Sequence, residues 1–231
     1  MKRTVGIASL TLLIALVWTY EISAESWDFI YEGEKIPDDP ALGDDVWNVK
    51  GTSEMCKITR DGELHVIDPN DKTCHLLRDI QDGGKGTVEA RVKVLSQSGV
   101  EYTILMGIED AVGYAWLDLF PDRVQIHNGA SHNVDMTEYH ILRITRDGND
   151  VTVYVDDEKV LEGQPSPPSD RQNDIIFGSG STPGTGEHYW DYVVYTAAGA
   201  FSPEELPNFL STLVVESKGK VVTCWGNLKS R

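Results

Sequence analysis

Apolar and polar residues alternate along most of the chain after residue 45, and this period of two is the main structural signal in the sequence. The alternating segments are separated by short runs of turn-forming residues, and no apolar stripe at helical spacing is longer than about two turns. The pattern therefore predicts an all-β fold. The predicted strands are 46–50, 63–67, 73–78, 86–95, 102–109, 114–120, 123–127, 139–146, 151–155, 174–178 and 188–195.

Turn residues between these segments predict several hairpins. Two Thr-Arg-Asp-Gly sequences, at 59–62 and 145–148, each precede an alternating segment, and Asp-Gly supplies the positive φ angles that a tight hairpin needs. Pro121-Asp122 and Asp156-Asp157 are placed in the same way between alternating segments. Because an open sheet rarely exceeds about ten strands, we expect two packed sheets or a barrel.

The two ends of the chain differ from the part between them. Lys2 and Arg3 precede an apolar run and a small-residue stretch, which is the order of a signal peptide covering residues 1–24; an uncleaved anchor is the alternative. The strand-like pattern then extends to about residue 200, which predicts one domain over 25–200. Ser202, Pro203 and Glu205 predict a short helical turn, followed by a tail to residue 231 with a further strand at 220–225.

The chain is strongly acidic, with a formal net charge of −17. This charge argues against binding to nucleic acid and to anionic membranes, and no segment after the predicted signal peptide is apolar enough to insert into a membrane. We expect a secreted, periplasmic or cell-surface protein. Aspartates are concentrated in several predicted turns, where their carboxylates could supply oxygen ligands for Ca²⁺. These residues are Asp38, Asp39, Asp44, Asp45, Asp68, Asp71, Asp79 and Asp82. Their spacing does not match that of a helix-loop-helix calcium site.

Three cysteines follow the predicted cleavage site, at Cys56, Cys74 and Cys224. An oxidising compartment favours pairing two of them. Cys56 and Cys74 lie in neighbouring strand-like segments, and a bond between them would close a loop worth about 3 kcal/mol in the chain-entropy model. We therefore predict a Cys56–Cys74 disulfide and leave Cys224 as a free thiol or an intermolecular link.

Three stretches carry a resemblance to a known group of domains. Residues 138–163, EYHILRITRDGNDVTVYVDDEKVLEG, resemble a hairpin of laminin G-like and concanavalin A-like lectin/glucanase domains. Residues 190–206, WDYVVYTAAGAFSPEEL, are similar to the final strand and helical turn of that group, and residues 113–129 extend the likeness. The resemblance implies an antiparallel two-sheet β-sandwich of the jelly-roll kind. It does not select among lectins, polysaccharide lyases, glycoside hydrolases and adhesion modules.

The same resemblance implies a candidate metal ligand. In laminin G-like domains the aspartate of the closing strand often helps to bind a structural Ca²⁺, and Asp191 occupies that position here. The alternative is a hydrogen bond from Asp191 to the backbone or to an arginine.

Motifs for catalysis are absent from the sequence. Retaining glucanases of this fold place two carboxylates about 5 Å apart, and their one-strand pattern of Glu, Asp and Glu at alternate positions does not occur. The sequence also lacks a Gly-x-Ser-x-Gly elbow, a phosphate-binding loop and a dinucleotide fingerprint. These absences favour a binding module over an enzyme.

A candidate binding face follows from strand alternation. Sugar rings bind to flat aromatic faces bordered by polar side chains. Ala115, Leu117 and Leu119 of the predicted strand 114–120 are expected to face the core. The alternate residues of this strand and of strand 123–127 would then line the concave sheet face: Tyr114, Trp116, Asp118, Gln125 and His127. The alternative is that the rings of Tyr114 and Trp116 fill the interior of the sandwich. We predict a non-catalytic module that binds a polysaccharide or glycan. The alternatives are an adhesion or assembly module for an extracellular protein, and a glycoside hydrolase or polysaccharide lyase.

Overall fold

The computed structural model describes residues 27–69, 72–81, 84–110, 113–167, 173–180 and 184–211. These residues form fifteen β-strands and three short 3-10 helices. The strands are β1 Phe29–Tyr31, β2 Asn48–Gly51, β3 Cys56–Ile58, β4 Leu64–Pro69, β5 Cys74–Asp79, β6 Lys85–Gly99, β7 Ile104–Glu109, β8 Tyr114–Leu119, β9 Arg123–Ile126, β10 Ser131–Asn133, β11 His140–Asp147, β12 Asp150–Val155, β13 Glu158–Gly163, β14 Asp174–Ser179 and β15 Gly184–Thr196. The 3-10 helices are Pro40–Asp45, Ser53–Met55 and Glu101–Thr103.

The strands form two antiparallel sheets. The eight-stranded sheet has the order β13-β12-β11-β6-β15-β4-β3, and β1 pairs with the far end of β15. The seven-stranded sheet has the order β10-β9-β8-β7-β14-β5-β2. This arrangement confirms the predicted all-β sandwich of two antiparallel sheets.

Each of the eleven strands predicted between residues 46 and 195 is present, and the structure adds four that the sequence pattern did not reveal. Three of these, β1, β3 and β10, are three residues long, which is too short for alternation to be recognised. The fourth, β13, lies at the edge of the eight-stranded sheet, where only Leu161 is buried.

The core lies between the sheets and is built from the inward-facing residues of both. Ala115, Leu117 and Leu119 belong to it, as predicted. At its centre the Phe177 ring meets the Trp47 ring edge to face, with 4.8 Å between centroids, and the Trp190 ring at 5.0 Å. Edge-to-face contacts of this kind add to the free energy of burying the rings themselves.

The hairpin turns have the backbone geometry that their residues predict. Gly148 has a φ of 60° between β11 and β12. Asp156 and Asp157 have φ angles of 49° and 70° between β12 and β13, which is the geometry of a primed turn and is one that Asp tolerates. The Pro121-Asp122 hairpin is closed by the Phe120 amide, which donates to the Arg123 carbonyl over 3.0 Å.

The C-terminal segment packs on the outer face of the eight-stranded sheet. The backbone turns at 203–205, as predicted, and the Ser202 amide donates to Glu205 Oε2 over 2.9 Å, which is one of the two hydrogen bonds of a capping box. Phe209 packs on Tyr192, and residues 209–211 are helical. The predicted signal peptide, the strand at 220–225 and Cys224 lie outside the described residues. In the part of the chain that the structure describes, no helix is long and apolar enough to cross a membrane.

Candidate functional site

Five predicted site residues lie together on the outer face of the seven-stranded sheet. In β8 the alternation places Tyr114, Trp116 and Asp118 on the side opposite the core residues. Across the hairpin, Gln125 is the register partner of Asp118. The His127 amide donates to the Trp116 carbonyl over 2.9 Å, so these two residues are also neighbours across the strands.

Three rings of this face form a compact cluster. The Tyr114 and Trp116 ring centroids are 4.4 Å apart, and His127 lies 5.5 Å from Tyr114 and 5.4 Å from Trp116. Tyr102, which sequence analysis did not select, meets His127 edge to face with 5.6 Å between centroids. It is 39% exposed, and it extends the aromatic surface toward solvent.

The imidazole of His127 is fixed by a buried carboxylate. Its Nδ1 lies 2.8 Å from Asp118 Oδ2, and Asp118 is fully buried. A carboxylate accepts hydrogen bonds, so Nδ1 is the donor and Nε2 is left for other partners. Ser166 Oγ donates to the His127 carbonyl over 3.2 Å and fixes the backbone as well.

The outer face is covered unevenly. Trp116 is 6% exposed and packs with Leu105 and Ile176 in a small cluster separate from the main core. His127 is 8% exposed, whereas Tyr114 and Gln125 are half-buried. Tyr114 and Gln125 are therefore the most accessible of the five residues, whereas Asp118 is fully buried and contacts His127.

Sequence analysis named Asp79 but did not reveal that it belongs to a row of carboxylates crossing the same face. Glu109 of β7 and Asp174 of β14 are register partners, and Asp79 of β5 is the partner of Asp174 on its other side. Their chain neighbours Ile108 and Ile175 lie in the core, so Glu109 and Asp174 point outward. Alternation within each strand was the available signal, but it does not reveal that β14 lies between β5 and β7.

The row meets the aromatic cluster at Glu109. Trp116 Nε1 donates to Glu109 Oε2 over 3.1 Å, and Tyr114 is the register partner of Glu109. The outer face therefore joins two kinds of groups: aromatic rings on β8 and directly after β9, and carboxylates on β7 and β14.

Comparison with solved structures places this architecture among known folds. The chain has the concanavalin A-like jelly-roll fold. One similar structure comes from work on endo-acting O-glycanases that prominent members of the human gut microbiota express to initiate mucin breakdown; it has a TM-score of 0.52 and 16% identity, and the match covers 75% of this chain and 100% of that one. Another is a glycosyl hydrolase family protein from Mycobacterium fortuitum, with a TM-score of 0.50, 15% identity, and coverage of 74% and 100%.

Comparisons by sequence find no counterpart. No protein-family model matches the chain, and no curated protein does. At identities this low, likeness to solved structures establishes the concanavalin A-like fold and leaves the chemistry to be argued from the site.

The predicted Ca²⁺ ligand, Asp191, lies in an ion pair. Its Oδ2 accepts from Arg91 Nη1 over 2.8 Å, and its side chain is buried. This is the arginine contact weighed as the alternative to a metal. The described residues include no group of three or more His, Cys, Asp or Glu side chains that could hold a metal ion. The neighbouring guanidinium disfavours a divalent cation at this carboxylate, and the role of Asp191 in binding Ca²⁺ stays a prediction.

The predicted disulfide partners are close together but are free thiols in the structure. The Sγ atoms of Cys56 and Cys74 are 3.2 Å apart. Cys56 belongs to the eight-stranded sheet and Cys74 to the seven-stranded sheet, so the pair spans the concanavalin A-like sandwich instead of joining neighbouring strands of one sheet.

Proposed function

We propose that the outer face of the seven-stranded sheet binds a carbohydrate without transforming it. The observation that carries the proposal is the cluster of Tyr114, Trp116 and His127, with centroids 4.4–5.5 Å apart and Gln125 beside it. Aromatic faces take the C–H surface of a sugar ring, and amide and imidazole groups bond its hydroxyls. The similar structures, one from work on O-glycanases and one a glycosyl hydrolase family protein, support the same ligand class.

Each residue has a distinct part in this proposal. The accessible part of the Tyr114 ring packs against the sugar, and Trp116 supports Tyr114 from the side. His127 Nε2 and the Gln125 amide bond ligand hydroxyls. Asp118 positions the imidazole through the 2.8 Å contact with Nδ1.

Binding to a polysaccharide panel tests this function. Tyr114→Ala should weaken retention in affinity gels by about tenfold, because aromatic packing beyond area burial is worth about 0.5–1.5 kcal/mol and loss of the ring also removes contact area. Tyr189→Ala is a matched control, since Tyr189 lies on β15 of the other sheet and stacks on His65. If Tyr114→Ala is retained as strongly as Tyr189→Ala, Tyr114 does not contact the ligand.

The same assay distinguishes a protein ligand. Free oligosaccharides should compete with the bound partner if the face recognises sugar. Binding to an extracellular protein that free sugars leave unchanged would favour an adhesion module.

A second candidate function is glycoside hydrolysis, favoured by the neighbouring carboxylates of Glu109 and Asp174. They are register partners on adjacent strands and share the outer face, and Asp174 is the more exposed of the two, at 8% against 0% for Glu109. Glycosidases act with two carboxyl groups on either side of the scissile bond, about 5–9 Å apart. Glu109→Gln and Asp174→Asn should each abolish release of reducing ends while polysaccharide retention persists. If the wild-type protein releases no reducing ends from any polysaccharide that it retains, hydrolysis is excluded and only the binding function stands.

We further propose that the protein acts outside the cytoplasm. The order of residues 1–24 supports export. N-terminal sequencing of protein recovered from the medium or periplasm should begin at Glu25, and a chain that retains Met1 would contradict cleavage.

A further inference from the structure

Two buried cysteines face each other across the core of the sandwich. Cys56 is the first residue of β3, at one edge of the eight-stranded sheet, and Cys74 is the first residue of β5 in the seven-stranded sheet. Cys56 is 4% exposed, Cys74 is fully buried, and both belong to the main core. Their Sγ atoms are 3.2 Å apart.

The backbone on both sides of this contact is fixed by regular pairing. Cys56 is the register partner of Val66. Cys74 has partners on both sides, Ser179 in β14 and Gly51 in β2. The strands therefore bring the thiols together independently of any bond between them.

We infer that Cys56 and Cys74 are joined by a disulfide that forms as the sandwich closes, and that this bond links one sheet to the other. A disulfide needs an S–S distance of about 2.05 Å, so each sulfur has to move by roughly half an ångström, which a small side-chain rotation supplies. The bond faces the core, whereas the carbohydrate face lies on the outside of the seven-stranded sheet. The inference therefore stands apart from the proposed binding function.

The chemistry is thiol–disulfide exchange with a small-molecule or protein disulfide. One thiolate attacks the oxidant and forms a mixed disulfide, releasing one thiol; the second thiolate then attacks the protein sulfur and releases the other. Two electrons and two protons pass from the pair to the oxidant, which leaves as two thiols.

Burial sets when this exchange takes place. Two main effects raise the pKa of the Cys74 thiol: the contact with Cys56, which is the larger, and burial away from water. Because the thiolate is the attacking species, the closed reduced sandwich reacts slowly. Oxidation is therefore coupled to folding and precedes full burial of the pair.

Thiol labelling of the full-length chain tests the bond. Cys224→Ser removes the third cysteine, and this variant is refolded with a mixture of reduced and oxidised glutathione and then alkylated in denaturant. It should take up no label before reduction and two labels after it, and peptide mapping should recover a linked pair containing Cys56 and Cys74. Two labels before reduction would overturn the inference. In the wild-type chain, a map that links Cys224 to either residue would also overturn it.

Two further measurements test its timing and its effect. Oxidised glutathione added to the folded, reduced protein should form the bond at least tenfold more slowly than during refolding; equal rates would contradict coupling to folding. Reduction should lower the melting temperature of the oxidised protein by about 5–10 °C. Cys56→Ala/Cys74→Ala is the control, and its melting temperature should not respond to reductant.

Discussion

Arg143 Nη2 lies 2.6 Å from Glu89 Oε2, and neither side chain has appreciable solvent exposure. The C-terminal segment closes over this ion pair. Arg143 Nη1 donates to the Leu206 carbonyl over 2.7 Å, and Glu89 Oε1 accepts from the Phe209 amide over 2.8 Å. The pair therefore anchors the segment after β15 to the outer face of the eight-stranded sheet.

Removing the arginine should destabilise the domain strongly. Arg143→Met leaves the Glu89 carboxylate buried without its ion-pair partner, and loss of one partner of a buried pair costs about 3–5 kcal/mol. Asp147→Ala is the control, because its pair with Lys85 is exposed and such pairs contribute about 0–1 kcal/mol. Urea unfolding measures both values. If Arg143→Met lowers the free energy of unfolding by less than about 1 kcal/mol, water reaches the ion pair and the C-terminal segment does not exclude it.

Acid should destabilise the fold through His188. Its Nε2 lies 3.0 Å from Ser179 Oγ, and its Nδ1 accepts from Trp190 Nε1 over 2.6 Å. Complete burial, with a smaller contribution from the charge of His65, lowers the pKa of His188 to about 3. Between pH 6.5 and 3 the unfolded chain binds a proton that the folded chain excludes, so stability should fall with acidification by up to about 1.4 kcal/mol per pH unit. Above pH 6.5 this contribution is complete and constant.

His188→Gln separates this titration from the other acid-sensitive groups. The amide keeps an acceptor for Trp190 and a donor for Ser179 but does not titrate. Urea midpoints at pH 7, 6, 5 and 4 should fall less steeply in the variant than in the wild-type protein. The same acid slope in both would show that His188 does not control it.

Local pattern was enough to predict one half of the candidate site. Alternation in β8 and β9, with the Pro121-Asp122 turn between them, places Tyr114 and His127 on one face, and the structure brings them within 5.5 Å. That information lies in neighbouring residues, and it needs no knowledge of the rest of the fold.

The other half depends on long-range sheet order. Glu109 and Asp174 meet because β14 pairs with β7, and packing of the whole sandwich sets that order. The cysteines show the same limit, because the sequence predicted the pair but not that Cys56 and Cys74 belong to different sheets.

Asp118 should act on ligand affinity through His127. Asp118→Asn replaces a group that only accepts hydrogen bonds with an amide that can also donate one. The contact then no longer favours the His127 tautomer that carries its proton on Nδ1. We expect a 2- to 10-fold loss of polysaccharide affinity, in line with about 0.5–1.5 kcal/mol for one hydrogen bond. Asp122→Asn in the exposed turn of the same hairpin is the control. Unchanged affinity in Asp118→Asn would exclude a positioning role.

Gly107 should control how closely β7 and β8 approach beneath the aromatic cluster. A Cβ atom there would lie 2.1 Å from the Ala115 carbonyl oxygen and 2.9 Å from Trp116 Cα. Both contacts are with backbone, so Gly107→Ala has to move one strand away from the other and displace Trp116 from Glu109. We expect a loss of about 1–3 kcal/mol in stability, together with weaker ligand binding, measured by urea unfolding and affinity gels. Gly163→Ala is the matched control, because its Cβ would meet only the Ile126 side chain, at 2.9 Å from the terminal methyl, which can rotate aside. If both substitutions cost the same and leave binding unchanged, close approach of β7 and β8 does not shape the site.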